Sequence, residues 1–143
     1  MRKRGAGSGE RGASAHFPCL NYLCQMSEGA SVEHLEVWQF AHAFVLGVYR
    51  VSREFPREEL FGLTSQLRRA AVSVPANIPE GYRKLSPADK VRYYNISQAS
   101  LDEAAYHLRL AHDLAYADTQ ELRQQADRIA RLLTSYIRRI CQH

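Results

Sequence analysis

Residues 68–84 read RRAAVSVPANIPEGYRK, a stretch that begins as an amphipathic helix and then carries two prolines, Pro75 and Pro79, between basic pairs. An interior proline removes a backbone donor and crowds the carbonyl four residues back, at about 3 kcal/mol in an isolated helix. One reading therefore ends the helix near Val74 and leaves PANIPEG as a loop. The other keeps a single kinked helix over about 63–83, because Leu67, Ala71, Val74, Ile78 and Tyr82 hold helical phase straight through both prolines. The unbroken phase favours the kinked helix, with both backbone defects on one face.

Outward from this stretch the same period recurs. Upstream, Trp38, Ala41, Val45 and Val48 repeat at three and four, flanked by Val37, Phe44 and Val51, until Phe55-Pro56 stops the segment. Ser31 is its expected N-cap. PREELFG then connects, with Gly62 free to turn. Downstream, SPAD offers Ser86 as N-cap, Pro87 at the first helical position and Asp89 as the capping-box acid. Val91, Tyr94, Leu101, Ala105 and Leu108 carry that third helix to about Leu114. A fourth begins at DTQE, Asp118 to Glu121, read as another capping box, with a heptad seam of Leu122, Ala126, Ile129, Leu133, Tyr136 and Ile140. Four helices on short loops, with no competing strand alternation, predict an all-α, up-down four-helix bundle with a kinked second helix. Residues 32–143 are assigned to it.

Residues 1–31 read as a basic tail without apolar periodicity, unable to bury enough surface to offset its ordering entropy. It lacks the apolar run of a secretory signal, and nothing in the chain approaches the ~18 apolar residues of a membrane span. A cytoplasmic protein with no membrane partner is expected. Met26 directly precedes the helical patterning and is an alternative start; the competing reading is a basic arm that touches nucleic acid. Cys19, Cys24 and Cys141 have neither disulfide-framework nor zinc spacing and are read as free thiols.

The segments LEVWQFAHAFVLGVY (35–49), FPREELFGLTSQLRRAAVSVPANIPEGYRK (55–84) and DLAY (113–116) resemble the four-helix-bundle proteins related to 23S rRNA intervening-sequence proteins. That group includes the accessory variability determinant of diversity-generating retroelements. The resemblance spans about residues 33–140 and implies a single middle helix, a homopentameric barrel with basic surfaces, and a non-catalytic accessory role. In the retroelement branch it implies binding of a reverse transcriptase and RNA. Two positions depart from the family pattern: Pro79 stands where alanine is usual, and Ala115 where glycine commonly follows the third helix.

Catalytic patterns are missing from the residues themselves. No acidic residue has a histidine three positions on, as di-iron bundles require, and there is no His-Glu-x-x-His, phosphate loop or Gly-x-Ser-x-Gly. Glu103 and His107 lie one turn apart and His112 follows, but a solvated helix face explains them better than a surface metal pair. No enzyme activity, metal or cofactor is expected.

Charge points elsewhere. The chain holds 19 basic and 15 acidic residues, a net charge of +4. Residues 1–25 take most of it, with Arg2, Lys3, Arg4 and Arg11 against Glu10. The body is thus nearly neutral, and an RNA or DNA partner must be argued from clustering. Arg68, Arg69, Arg83, Lys84, Lys90 and Arg92 stand against Glu80 and Asp89 over residues 68–92, and the fourth helix adds Arg128, Arg131, Arg138 and Arg139. Such side chains suit phosphates, which give affinity and salt dependence with little sequence preference. The alternative is a homo-oligomeric adaptor that binds no nucleic acid and pairs these charges with neighbouring subunits. The polar stripe Gln66, Arg69, Ser73, Asn77 and Glu80 suits either role. The apolar flank Val37, Phe44 and Val51, with Leu132 and Ile137 of the fourth helix, is wider than one bundle needs and argues for coverage by neighbours.

Overall fold

The computed structural model describes residues 31–142, so the expected tail, Met26, Cys19 and Cys24 lie outside the described residues. Four helices follow one another: α1 (Glu36–Val51), α2 (Leu63–Arg83), α3 (Pro87–Asp113) and α4 (Gln120–Cys141). Each packs on its chain neighbour and α1 closes against α4, the adjacency of an up-down bundle. No helix among the described residues is long and apolar enough to cross a membrane.

α2 runs unbroken through Pro75 and Pro79. Burial explains why the helical reading prevails. Val74 and Ile78 on either side of Pro75 are fully buried, and a buried aliphatic side chain contributes about 1.5–3 kcal/mol. Side chains add bonds in the same region, at carbonyls that also keep their helical donors: the Ser97 hydroxyl of α3 donates to the Val74 carbonyl at 2.8 Å, and Asn77 Nδ2 donates to the Ser73 carbonyl at 2.8 Å. Burial of Val74 and Ile78, about 3–6 kcal/mol together, is of the same size as the cost of two interior prolines, about 6 kcal/mol. Ser100 Oγ, 2.8 Å from Ser73 Oγ, extends the seam, so the middle of the polar stripe is engaged within the chain.

The core is built from Val37, Ala41, Phe44 and Val48 of α1, Leu67, Ala71, Val74 and Ile78 of α2, Leu101, Ala104 and Leu108 of α3, and Leu122, Ala126, Ile129 and Leu133 of α4. This corrects the reading of α1. Val37 and Phe44, taken from the sequence as a flank for neighbouring subunits, lie at the centre, whereas Trp38 and Val45 sit at the margin. The two stripes differ by only one residue step, about 100°, and only the packing of α2 and α4 selects between them. Val51, Leu132 and Ile137 are half-buried against the same core.

Two expected caps also move. Ser31 accepts from the Glu33 N–H at 3.3 Å but caps a short 3-10 turn, Val32–His34, ahead of α1. Asp118 accepts from the Gln120 N–H at 3.0 Å without forming a capping box, because the residue at the cap is Thr119, whose buried hydroxyl donates to the Leu108 carbonyl at 2.6 Å. Ser86 does cap α3, accepting from the Asp89 N–H at 3.4 Å with Pro87 in the first turn. At the other end of α1, the helix closes at Val51 and a 3-10 turn, Ser52–Glu54, leads to Phe55-Pro56.

α3 ends in a paired cap: the Ala115 N–H donates to the His112 carbonyl and the Tyr116 N–H to the Ala111 carbonyl, both at 2.9 Å. This motif places Ala115 at φ 59°, a left-handed conformation that costs an alanine about 1–2 kcal/mol and glycine little. Glycine's larger unfolded-state entropy returns about 0.5–1 kcal/mol. Ala115→Gly should therefore raise stability by roughly 0.5–1 kcal/mol. Denaturant melts check this, and a lowered stability would refute it.

Candidate nucleic-acid interface

The turn between α2 and α3 is held close by Gly81. A Cβ there would lie 3.0 Å from Tyr94 Cε1 and 3.2 Å from the Lys90 carbonyl, so a side chain would push the helices apart. Tyr94 is buried under this contact. Burial first, then the neighbouring Tyr136 and Tyr82, pushes its phenol up to about 12, so it stays neutral.

Around this corner stand four of the expected cations. Lys84 Nζ lies 5.0 Å from the centre of the Tyr93 ring, and the Arg92 guanidinium carbon lies 5.1 Å from it. Arg83 is exposed at the last turn of α2. Lys90 is different. Its Nζ donates to the Tyr82 carbonyl at 2.7 Å and the Gly81 carbonyl at 3.5 Å, closing the C-terminus of α2, and burial lowers its pKa. Lys90 therefore serves as a helix cap with little freedom to reach a phosphate. Leu85, 85% exposed, projects beside it.

The fold adds to this corner what the sequence kept apart. α3 and α4 run antiparallel, and their register is fixed by Gln98 Nε2 donating to Thr134 Oγ1 at 2.8 Å and by the Tyr94 and Tyr136 rings, 6.4 Å apart. Arg92, just before Tyr94, thus shares one end of the bundle with Arg138 and Arg139, just after Tyr136. Both arginines are exposed with no ion-pair partner among the described residues. One end of the bundle gathers Arg83, Lys84, Arg92, Arg138 and Arg139, with Lys90 beneath them.

The remaining expected residues are placed elsewhere. Arg131 is exposed one turn and more from that end. Arg128 lies 3.8 Å over the Phe40 ring and 3.6 Å from Glu36, so it ties α4 to α1. Arg68 donates to Ser52 Oγ at 2.8 Å and lies 4.8 Å over Tyr49. Arg69 is exposed beside it. Arg69 and Arg83 are fourteen residues apart, so about 21 Å of helix separates the two basic pairs. The first pair belongs to a different surface: an open groove of about 670 Å³ lined by Tyr49, Leu60, Phe61, Arg68, Arg69 and Val72. Next to it, one Glu59 carboxylate oxygen accepts from the Leu63 N–H at 2.9 Å, capping α2, and the other from the Tyr116 hydroxyl at 3.2 Å. Phe61 is 92% exposed.

The acid and histidine group of α3 is divided. His107 Nε2 lies 3.4 Å from Glu103, while His112 faces Asp118 at 3.8 Å. Among the described residues no three His, Cys, Asp or Glu side chains converge to hold a metal ion.

The fold is thus an all-α bundle with exposed cations at one end that form no ion pair among the described residues. The chain belongs to the 23S rRNA-intervening sequence protein family, whose model matches residues 33–135. A solved structure similar to it is a protein of unknown function from the S23 ribosomal protein family of Bacteroides thetaiotaomicron. The two are 25% identical with a TM-score of 0.66, over 71% of this chain and 97% of that one. No curated protein sequence matches the chain.

Proposed function

We propose that the protein is a non-catalytic, homo-oligomeric accessory factor that binds structured RNA or DNA through the basic end of its bundle. The observation that carries this is the gathering of Arg83, Lys84, Arg92, Arg138 and Arg139 from three helices onto one end without acidic partners. Membership of a family described by an rRNA intervening sequence supports an RNA-related role. Five copies and a reverse transcriptase partner follow from the resemblance to the retroelement branch. A ring would repeat the basic end around its rim.

The test is a salt series of filter-binding titrations on the wild type and Arg83→Ala/Lys84→Ala, with mass by light scattering. Two phosphate contacts removed should weaken binding to unrelated sequences about equally and lower the salt slope by roughly two, with mass unchanged. The exposed Phe61, with Leu60, Tyr49 and Val72 around it, favours the adaptor as a second reading. An intact oligomer whose RNA affinity and slope ignore the double substitution would put the adaptor ahead.

A further inference from the structure

We infer that the α2–α3 corner takes unpaired nucleotides, as in a loop or bulge of folded RNA, and discriminates them from duplex by stacking on the guanidinium of Arg92. The inference rests on the nucleic-acid reading above and deepens it. Its observation is the way these cations are held. Arg92 and Lys84 are positioned by the face of the half-buried Tyr93 ring, at 5.1 and 5.0 Å, and neither has an ion-pair partner among the described residues.

A phosphate-only surface needs charge and tolerates mobile side chains. A guanidinium held 5.1 Å from a ring centre, with an ammonium 5.0 Å from the same ring, is confined beside that ring before any ligand arrives, and the guanidinium itself is a planar cation on which a base can stack. Arg92 is exposed, so a base can reach it from solvent. Every base has a π-face, and an unpaired base can stack on such a plane, whereas the bases of a duplex are already stacked on one another. Arg83 and Lys84 on one side, and Arg138 and Arg139 on the other, then track the phosphates that flank the stacked base. Exposed Leu85 adds an apolar edge beside it.

The competing ligand, double-stranded RNA, has the higher charge density. On charge alone it should bind the same cations more tightly, so a preference for single strands isolates the stacking contribution. Arg92→Lys keeps the charge and removes the plane. Tyr93→Leu keeps apolar bulk and removes the support beneath it.

The experiment measures binding of the full chain to a fluorescein-labelled twelve-nucleotide RNA without self-complementarity, and to the duplex it forms with its complement, at one salt concentration. Arg92→Lys should weaken the single strand on the order of tenfold and leave the duplex within about twofold, with an unchanged salt slope. Tyr93→Leu should act in the same direction, and circular dichroism confirms that each variant is folded. Equal losses on both ligands, or no loss on the single strand, would overturn the stacking inference while leaving the phosphate-binding surface in place. Binding of neither ligand by the wild type would overturn both.

Discussion

RNA affinity of the assembled protein is expected to fall about 10³-fold or more between roughly 50 and 200 mM salt. Each neutralised phosphate releases counterions, so the logarithm of affinity declines with a slope close to the number of contacts. With Lys90 tied to the Tyr82 carbonyl, each chain offers Arg83, Lys84, Arg92, Arg138 and Arg139. In the proposed oligomer, two adjacent copies acting together would reach the ~6–10 contacts at which losses of about 10³–10⁵ are seen. A single bundle making three contacts would lose only roughly 40-fold over the same range. Fluorescence anisotropy titrations across the salt series decide between these outcomes. A loss below about tenfold would mean fewer than two phosphate contacts and would refute the proposed surface.

Phe44→Ala should destabilise the fold by about 3–5 kcal/mol, enough to abolish most of the stability of a domain this size. Phe44 is 0% exposed and stands where α1 meets the rest of the core, beside Ala41 and Val48. Removing its ring deletes the transfer free energy of the lost atoms and leaves a cavity that a close-packed interior closes only in part. The informative control is Phe61→Ala. At 92% exposure Phe61 makes little contact within the chain, so its loss should leave the denaturant midpoint at dilute protein nearly unchanged. If the Phe61 face joins subunits, the same substitution should lower the mass observed by light scattering. A Phe44→Ala protein as stable as the wild type would mean that this ring is not in the bundle core.

These two phenylalanines mark where sequence reading of the surface failed. The pattern of α1 shows a broad apolar face, and helical period alone does not say which edge points inward. Phe44 reads from the sequence as a flank beside the main seam and lies in the core. Phe61, in the connector, has no periodic signal and is exposed. Near it, Glu59 uses both carboxylate oxygens, to cap α2 and to hold Tyr116. That bridge joins residues far apart in the chain.

The local elements were legible because their causes are local. Four helical periods, the Ser86 cap with Pro87, and the phase that Ile78 and Tyr82 keep across the prolines are all contained within a few turns of chain. They determine an all-α bundle, and they determine that α2 passes through Pro75 and Pro79. The basic pairs flanking that helix are equally plain. What they do is not, since charge along a sequence carries no information about which cations end up free. Packing decided this. It turned Arg68 toward Ser52, drew Lys90 onto the Tyr82 carbonyl and bound Arg128 to Glu36. The register of α3 against α4, set by Gln98 with Thr134 and Tyr94 with Tyr136, then brought Arg138 and Arg139 to Arg92 across more than forty residues of chain. Secondary structure is written in neighbours a turn away, whereas a surface is assembled from residues that meet only when the core has fixed the helices against one another.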